Sequence, residues 1–250
     1  MIIGSDIIFF EELPSTNTYA ASLIRKKQIA EGTIIRAAFQ SSGRGQMGNQ
    51  WESEAGKNLL ISIILYPSGI EPSDQFLLSM MVSLGISDFL GGEISDCKIK
   101  WPNDIYVNND KIAGILIENS IMENAIVNSV AGIGLNINQR EFLTSAPNPV
   151  SMSLLTDREY DLEICLRQLC SAIDKRYFQL VSGNQTEMRS NYISQLFRHN
   201  EWSDFRDKAG TFTGRILSVR DDGALKIERK DSEIELIGYL IKQAPKSAEA

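Results

Sequence analysis

A glycine-rich loop between two apolar, β-branched segments places the strongest limit on the fold of this chain. The loop reads SSGRGQMGNQW (residues 41–51), and it connects Thr33–Gln40 with Asn58–Pro67, which are both predicted to be strands. Its glycines match G-x-G-x-x-G, but in a dinucleotide-binding fold that pattern leads into a helix, and an acidic residue ends the next strand. Here barely one turn of helix-forming residues precedes Gly56, and the next strand ends at Tyr66-Pro67-Ser68 without an acid. The sequence therefore does not predict a Rossmann fold.

The loop could also belong to a protein kinase, in which a glycine loop between strands covers ATP. The chain has no H-R-D-x-x-x-x-N or D-F-G run, so this class is excluded, but the loop can still bind an anion. Three glycines let a backbone turn through positive φ and bring N–H donors close to an anion. Arg44 adds a guanidinium, and Trp51 offers a face on which a planar base can stack. The alternative interpretation is a flexible loop whose Trp51 is anchored in the core.

Helices cluster before and after a run of hairpins, so we predict an α+β fold with a mixed, mostly antiparallel sheet packed with helices. The predicted strands are Ile2–Phe10, Thr33–Gln40, Asn58–Pro67, Cys97–Trp101, Ile105–Val107, Lys111–Glu118 and Ala125–Ile137. Predicted helices begin after Pro14-Ser15-Thr16-Asn17 and at Pro72, and a capping box at Thr156–Glu159 opens a helical region that runs to about Arg198.

From Gly210 the sequence alternates apolar and polar residues, with hairpin turns at Asp222-Gly223 and Lys230–Ser232. This pattern predicts a small C-terminal barrel of about five strands. We therefore expect two domains, a catalytic domain over 1–205 and a small domain over 206–250. The last residues, QAPKSAEA, are expected to be a frayed tail.

Charge and composition exclude several classes of function. A net charge of −7 without a basic block argues against DNA binding. One histidine, His199, and three cysteines leave no zinc set and no disulfide framework, and they remove most Ser-His-Asp and Cys-His mechanisms. His199 is expected to have a structural or surface role. The longest apolar run is half a membrane span, and the N-terminus shows no signal peptide, so we expect a cytoplasmic protein without membrane contact.

A second segment points to chemistry. The sequence KWPND (100–104) precedes a hairpin whose return strand begins KIAG (111–114), and GIGLN (132–136) lies on the following strand. Strict alternation places Lys111 and Ala113 on one face of the strand and Ile112 and Gly114 on the other. A lysine beside a glycine that permits close approach suits a carboxylate or phosphate ligand.

These residues resemble the biotin protein ligases, and the resemblance covers nearly all the chain. It rests on five ordered motifs: S-T-N (15–17), Q-x-x-G-R-G-x-x-G-x-x-W (40–51), K-W-P-N-D (100–104), K-x-x-G-I-L-x-E (111–118) and G-x-G-x-N (132–136). The resemblance implies a class II synthetase-like catalytic domain with a small C-terminal SH3-like barrel. It implies that ATP activates biotin to biotinyl-5'-AMP, which then biotinylates a lysine of a biotin carboxyl carrier domain. This chain resembles the family members that start directly at the catalytic domain, without an N-terminal DNA-binding domain.

The same resemblance assigns roles to individual residues. Lys111 and Arg44 are the expected catalytic cations, and the N–H groups of Gly43 and Gly45 are expected to hold the carboxylate and phosphate. Asp104 is expected either to place magnesium or to orient Lys111. The implied biotin-binding residues are Ser15, Thr16, Gln40, Gly43, Arg44, Lys111, Gly114, Gly132 and Gly134. The implied ATP and adenylate residues are Arg44, Gly45, Trp51, Asn103, Lys111 and Asn136.

The chain departs from the family at two loop positions, where Gln46 and Asn49 replace arginines, so no phosphate contacts are expected there. Two alternative functions stay open at this point, a lipoate ligase-like acyltransferase and a non-catalytic biotin-binding sensor. The expected ligands are biotin, ATP and Mg²⁺, and the expected partner is the carrier domain of a biotin-dependent carboxylase. Monomer and homodimer are both open.

Overall fold

The computed structural model describes residues 1–143, 148–207, 210–230, 235–237 and 242–243. The strands of the larger sheet are β1 (Ile7–Leu13), β2 (Ile34–Gln40), β3 (Leu59–Leu65), β4 (Cys97–Lys100), β5 (Asp104–Val107), β6 (Asp110–Met122) and β7 (Ala125–Leu135). The helices are α1 (Thr16–Lys26), α2 (Phe76–Leu90), α3 (Met152–Thr156), α4 (Leu162–Val181) and α5 (Gln185–Ser194). The strands of the smaller sheet are β8 (Ser203–Arg206), β9 (Thr211–Val219), β10 (Leu225–Arg229), β11 (Glu235–Ile237) and β12 (Lys242–Gln243).

The larger sheet has the strand order β1-β2-β3-β7-β6-β5-β4. Strands β1 and β2 are parallel, and every other neighbouring pair is antiparallel. This arrangement confirms the prediction of a mixed, mostly antiparallel sheet packed with helices. Within the described residues, no helix is both long enough and apolar enough to cross a membrane.

Helices cover both faces of this sheet, which explains why β3 is an apolar run without alternation. On one face, Ile61 and Ile63 belong to a core shared with α2 and α4. On the other face, Ile64 packs in a second cluster with Ala20 of α1. Every residue of β3 is buried. Ser62 is the one polar residue in this strand, and it lies on the α1 face, where the candidate site is found.

The predicted capping box at Thr156–Glu159 is wrong. Thr156 is the last residue of α3, and Asp157 follows it with a left-handed φ of 53°. Helix α4 begins at Leu162, and Asp161 caps it by accepting hydrogen bonds from the backbone N–H groups of Glu163 and Ile164 at 2.8 and 3.0 Å. The reason is that the residues after Thr156 form the turn between two helices, so a later carboxylate caps the second one.

The smaller sheet has the order β11-β10-β9-β8-β12, so five strands are present as predicted. Its edge strands β11 and β12 show no pairing with each other in the described residues. The sheet begins at Ser203, slightly before the predicted domain boundary at 205/206. The predicted turn at Asp231-Ser232 and most of the predicted tail lie outside the described residues.

Polar contacts join the smaller sheet to the preceding part of the chain. The indole Nε1 of Trp101 donates a hydrogen bond to the backbone oxygen of Gly223 at 2.8 Å, and Arg189 forms an ion pair with Asp221. The imidazole Nε2 of His199 lies 3.2 Å from the backbone oxygen of Leu217, in agreement with the expected structural role. The turn between β9 and β10 is therefore held directly against the K-W-P-N-D segment.

The contact between α2 and α4 leads to a stability prediction. A Cβ at Gly85 would lie 2.7 Å from Cγ1 and 2.8 Å from Cα of Ile173. Alanine is a better helix former than glycine by about 1 kcal/mol, but two packed backbones must separate to admit the methyl group, at about 1–3 kcal/mol. We expect Gly85→Ala to lower the free energy of unfolding in a urea titration. Ser79→Ala, at a half-buried position of the same helix, is the control; equal values for both variants would contradict the packing.

Candidate active site

A cavity of about 780 Å³ lies on the α1 face of the larger sheet, and residues of all five motifs line it. Of the sequence-predicted site residues, those that line it are Ser15, Thr16, Gln40, Arg44, Gly45, Trp51, Asn103, Asp104, Lys111, Gly114, Gly132, Gly134 and Asn136. Gly43 is not among the lining residues. A Cβ on Gly43 would meet the backbone oxygen of Trp51 at 2.6 Å, so this glycine lets the loop close on itself.

A β-bulge at Ile112 sets which side chains reach the cavity. Ile105 pairs with Ala113, whereas the next residue, Tyr106, pairs with Lys111, so that Ile112 has no partner on β5. One extra residue reverses the alternation of side chains along a strand. Lys111 and Gly114 therefore share the cavity face, while Ile112 and Ala113 are both in the core. The predicted grouping of Lys111 with Ala113 is wrong because strict alternation does not allow for a bulge.

Lys111 is held in place by two neighbours. Its Nζ lies 2.7 Å from Oδ1 of Asp104, and both side chains are about three-quarters shielded, at 26% and 22% exposure. The same Nζ lies 5.4 Å from the ring centroid of Trp51. A fixed ammonium with one carboxylate neighbour still has donors that can reach an anionic ligand.

The Trp51 indole packs on the glycines of β6 and β7. A Cβ on Gly134 would lie 2.3 Å from Cε2 of Trp51, and one on Gly114 would lie 2.8 Å from its Cζ3. Because Gly114 and Gly134 are direct partners across the two strands, they leave a flat bare patch of backbone for the indole. The indole Nε1 is buried and has no hydrogen-bond partner in the described residues.

A polar network occupies the end of the cavity beside α1. The backbone N–H and Oγ1 of Thr16 donate to Oε1 of Gln40 at 2.7 and 3.1 Å. Oγ of Ser62 lies 2.7 Å from Oγ1 of Thr16 and 2.6 Å from Oδ1 of Asn17. Ser15 caps α1 through its side chain. A Cβ on Gly132 would meet Oδ1 of Asn17 at 2.2 Å, so the bare backbone admits this amide.

Arg44 reaches the cavity wall through Glu118. Its Nη2 lies 2.7 Å from Oε2 of Glu118, which also accepts a hydrogen bond from Nδ2 of Asn17 at 2.8 Å. Both Arg44 and Glu118 are more than 40% exposed, so water screens this ion pair. The guanidinium therefore exchanges partners at low cost.

Two expectations about the loop backbone are not met in this structure. Gly48 is the loop glycine with positive φ, at 79°, whereas Gly43 and Gly45 are not among the glycines with positive φ. The Gly45 N–H donates to the backbone oxygen of Asn49 at 2.7 Å. This donor, predicted to face a phosphate, is used inside the loop, because residues 46–48 form a short 3₁₀ turn that brings Asn49 back to it.

Asn103 and Asn136 differ in the hydrogen bonds that their side chains make. Nδ2 of Asn103 donates to the backbone oxygen of Ile115 at 2.6 Å and so braces the hairpin. Nδ2 of Asn136 donates to the backbone oxygen of Val150 at 3.0 Å. Oδ1 of Asn136 is buried without a hydrogen-bond partner in the described part of the chain. A buried acceptor without a partner is costly, and a ligand N–H would remove that cost.

Sequence reasoning assigned no role to several residues that shape this site: Asn17, Ser62, Lys100, Tyr106 and Glu118. Asn17, Lys100 and Glu118 lie inside the motifs quoted above, and this membership could have identified them as site residues. Ser62 was signalled by its hydroxyl in an otherwise apolar strand. Burial lowers the pKa of the Lys100 ammonium and raises the pKa of the Tyr106 hydroxyl.

Comparison with known proteins agrees with this architecture. The sequence model of the biotin/lipoate A/B protein ligase family matches residues 9–136. The bifunctional ligase/repressor BirA of Salmonella typhimurium is 32% identical over 227 residues, which cover 86% of this chain and 69% of that protein. The biotin--[acetyl-CoA-carboxylase] ligase of Paracoccus denitrificans is 29% identical over 218 residues, 84% of this chain and 89% of that protein.

The fold is also that of a solved ligase. The structure of the biotin protein ligase from Aquifex aeolicus in complex with biotin and ATP superposes with a TM-score of 0.80 at 24% identity, over 96% of this chain and 100% of that chain. The chain belongs to the biotin/lipoate A/B protein ligase family. The Paracoccus relative and the Aquifex structure are both named as biotin ligases, which confirms the resemblance found in the sequence.

The glycine patch under Trp51 leads to a prediction. In Gly134→Ala the new methyl group needs the space of the indole, so Trp51 must move, and we expect a loss of about 1–3 kcal/mol in the free energy of unfolding. In a Trp51→Ala background the clash is absent and the same substitution should cost little. A double-mutant cycle by urea unfolding measures the coupling. Equal costs in both backgrounds would show that the indole does not lie on this glycine.

Proposed function

We propose that this chain is an ATP-dependent biotin protein ligase. In the first step an oxygen of the biotin carboxylate attacks the α-phosphorus of ATP, and pyrophosphate leaves with the electron pair of the broken P–O bond. In the second step the neutral amine of a carrier lysine attacks the carbonyl carbon of biotinyl-AMP, and AMP leaves while the nitrogen loses a proton. The observation that carries the proposal is a single cavity lined by all five motifs, with Lys111 fixed in its wall.

Lys111 supplies positive charge where the carboxylate meets the α-phosphate. Its ammonium is held by Asp104 on the sheet and lines the cavity, so an anionic ligand in the cavity can reach it. A fixed cation at this point stabilises the negative charge that builds on the phosphoryl oxygens without reorganising during the reaction. The 2.7 Å contact supports the orienting role for Asp104 over the magnesium role.

Biotin lies in this proposal between α1 and the middle of the sheet. Its ureido ring needs donors and acceptors, and Ser15, Thr16 and Gln40 supply both at the polar end of the cavity. Gly132 and Gly114 line the cavity beside them and carry no side chain that would narrow it. Leaving a ureido atom unpaired there would cost about 1–3 kcal/mol, so this network favours a cyclic urea over a purely apolar ring.

The adenylate lies in this proposal against Trp51 and Asn136. The unsatisfied Oδ1 of Asn136 can accept a hydrogen bond from the exocyclic amine of adenine, and the indole offers a stacking face. Asn103 contributes by bracing the hairpin that carries Lys111. Arg44 turns from Glu118 to the ligand when the loop closes, and closure shields the reactive anhydride from water.

Magnesium enters this proposal together with the phosphates of ATP. The described residues contain no group of three or more His, Cys, Asp or Glu side chains that could hold a metal ion, and Asp104 is engaged by Lys111. We further propose an SH3-like barrel for the C-terminal sheet, the division into domains 1–205 and 206–250, a carrier domain of a biotin-dependent carboxylase as partner, and a cytoplasmic location.

Replacement of Lys111 tests this function. We expect Lys111→Ala to reduce biotin transfer from MgATP and biotin to a purified carrier domain by about 100-fold or more, measured by intact mass. Its free energy of unfolding should fall by about 1–3 kcal/mol, since the shielded carboxylate of Asp104 loses its partner, so folding is checked separately by urea titration. Lys57→Ala, which removes an exposed lysine outside this cavity, is the control. Undiminished transfer by Lys111→Ala would overturn the proposed role.

A lipoate ligase-like activity is the alternative that the family itself leaves open, since its sequence model covers both substrates. Calorimetric titration with biotin and with lipoate separates them. The polar network around Thr16 and Gln40 predicts that biotin binds and that lipoate, which has no ureido group, binds at least about tenfold more weakly. A biotin-binding sensor would bind biotin yet show no biotin-dependent exchange of labelled pyrophosphate into ATP.

A further inference from the structure

A second lysine, Lys100, lines the same cavity from its far wall. It is the last residue of β4, the edge strand of the larger sheet. Its Nζ lies 4.4 Å from the ring centroid of Tyr106, and it donates a hydrogen bond to the Tyr106 hydroxyl at 3.1 Å. The ring centroid of Phe197 is 6.0 Å away. The ammonium is thus held by two aromatic rings and a neutral hydroxyl.

This ammonium forms no ion pair with a carboxylate among the residues that the structure describes. Its cross-strand partner Asp104 binds Lys111 instead. Burial lowers the pKa of Lys100, Asp104 opposes this, and Arg198 and Lys111 lower the pKa further. Lys100 is half-buried, and its cross-strand carboxylate is already engaged by Lys111. Such a cation is unfavourable, and an anionic ligand in the cavity would reduce that cost.

The register of the sheet gives the direction in which this anion lies. Lys100 pairs with Asp104, Asp104 pairs with Gly114, and Gly114 pairs with Gly134, so one row of paired residues crosses four strands on the cavity face. The proposed biotin end of the cavity lies at Thr16 and Ser62, toward β2 and β3. Lys111 lies on β6, and Lys100 lies two strands further on, at roughly 9–10 Å for a spacing of about 4.8 Å.

We propose that Lys100 binds the pyrophosphate that leaves from ATP; this inference rests on the proposed function. The carboxylate oxygen of biotin forms a bond to the α-phosphorus while the bond from that phosphorus to the bridging oxygen breaks. Pyrophosphate leaves with the electron pair, and attacking and leaving oxygens are roughly in line. The attack comes from the β3 side of Lys111, so the leaving group points toward β4. Lys100 neutralises the charge that the bridging oxygen acquires.

Binding of ATP and AMP without biotin tests the inference, since AMP lacks the two phosphates that Lys100 would hold. In the unchanged protein MgATP should bind more tightly than AMP. Lys100→Met keeps the apolar stem between the rings and removes the charge, and it should weaken MgATP binding by about 10- to 100-fold while AMP binding stays within about threefold. Lys100→Arg should keep the preference for ATP. Lys98→Met, on the same strand but not lining the cavity, is the matched control.

A second measurement separates this role from a structural one. Transfer of biotin from chemically prepared biotinyl-AMP to the carrier domain needs no pyrophosphate site, so Lys100→Met should leave it within about threefold while biotin-dependent pyrophosphate exchange falls about 10- to 100-fold. An undiminished ATP preference in Lys100→Met, or equal losses in both reactions, overturns the inference. If Lys100→Met does not fold, Lys100→Gln replaces it in both measurements, with the same expected results. If the unchanged protein forms no biotinyl-AMP, the proposed function itself is wrong.

Discussion

One additional residue in strand β6 determines which side of the sheet carries the charged groups. The bulge at Ile112 turns Lys111 toward the cavity and keeps both Ile112 and Ala113 in the core. Without it, the strand could present either the lysine or Gly114 to the ligand, but not both. The amine, the bare backbone of Gly114 and the cross-strand carboxylate of Asp104 meet only because the register shifts at that point, so the proposed chemistry depends on a backbone irregularity that the neighbouring strands hold in place.

The cavity exists because glycines remove side chains from the middle of a packed sheet. Leu60 and Ser62 of β3 pair with Gly134 and Gly132 of β7. At these positions β3 contributes side chains, whereas β7 contributes only backbone. The cleared space is filled by groups from elsewhere: the Trp51 indole covers Gly114 and Gly134, and the Asn17 amide covers Gly132. The indole Nε1 has no hydrogen-bond partner in the described residues, whereas the Asn17 amide is engaged by Ser62 and Glu118. A sheet of larger residues would be more stable on its own, and it would have no room for a base or a bicyclic ring.

The sequence was sufficient to predict which residues form the site. It was insufficient to predict features that depend on local strand register and turn geometry. The predicted site residues, except Gly43, line the cavity, because the motifs that carry the resemblance depend on residue identity. Lining residues outside the motifs, such as Phe39, Tyr106 and Phe142, had no such signal. Alternation failed at Ile112, since a bulge has no periodic signature. The helix start predicted at Thr156 is wrong, because several nearby side chains can each cap a helix. The structure uses Asp161, whose carboxylate accepts from the first backbone N–H groups of α4. The Gly45 N–H donates to Asn49 inside the loop, and a sequence does not show which N–H groups a turn uses internally.

The distribution of cations has a physical consequence for the proposed reaction. Gln46 and Asn49 leave Arg44 as the cation of the loop within residues 41–51, and the structure pairs Arg44 with Glu118. Lys111 and Lys100, in contrast, lie on strands β6 and β4 of the larger sheet, on either side of β5. Rigid strands hold charge in place before a ligand arrives, whereas a mobile loop must first be ordered. Asp104 is the cross-strand partner of Lys100 and forms an ion pair with Lys111, so one carboxylate limits the repulsion between two amines and leaves a positive surplus. In this chain the sheet therefore supplies the fixed positive charge, and the loop mainly supplies the cover that excludes water.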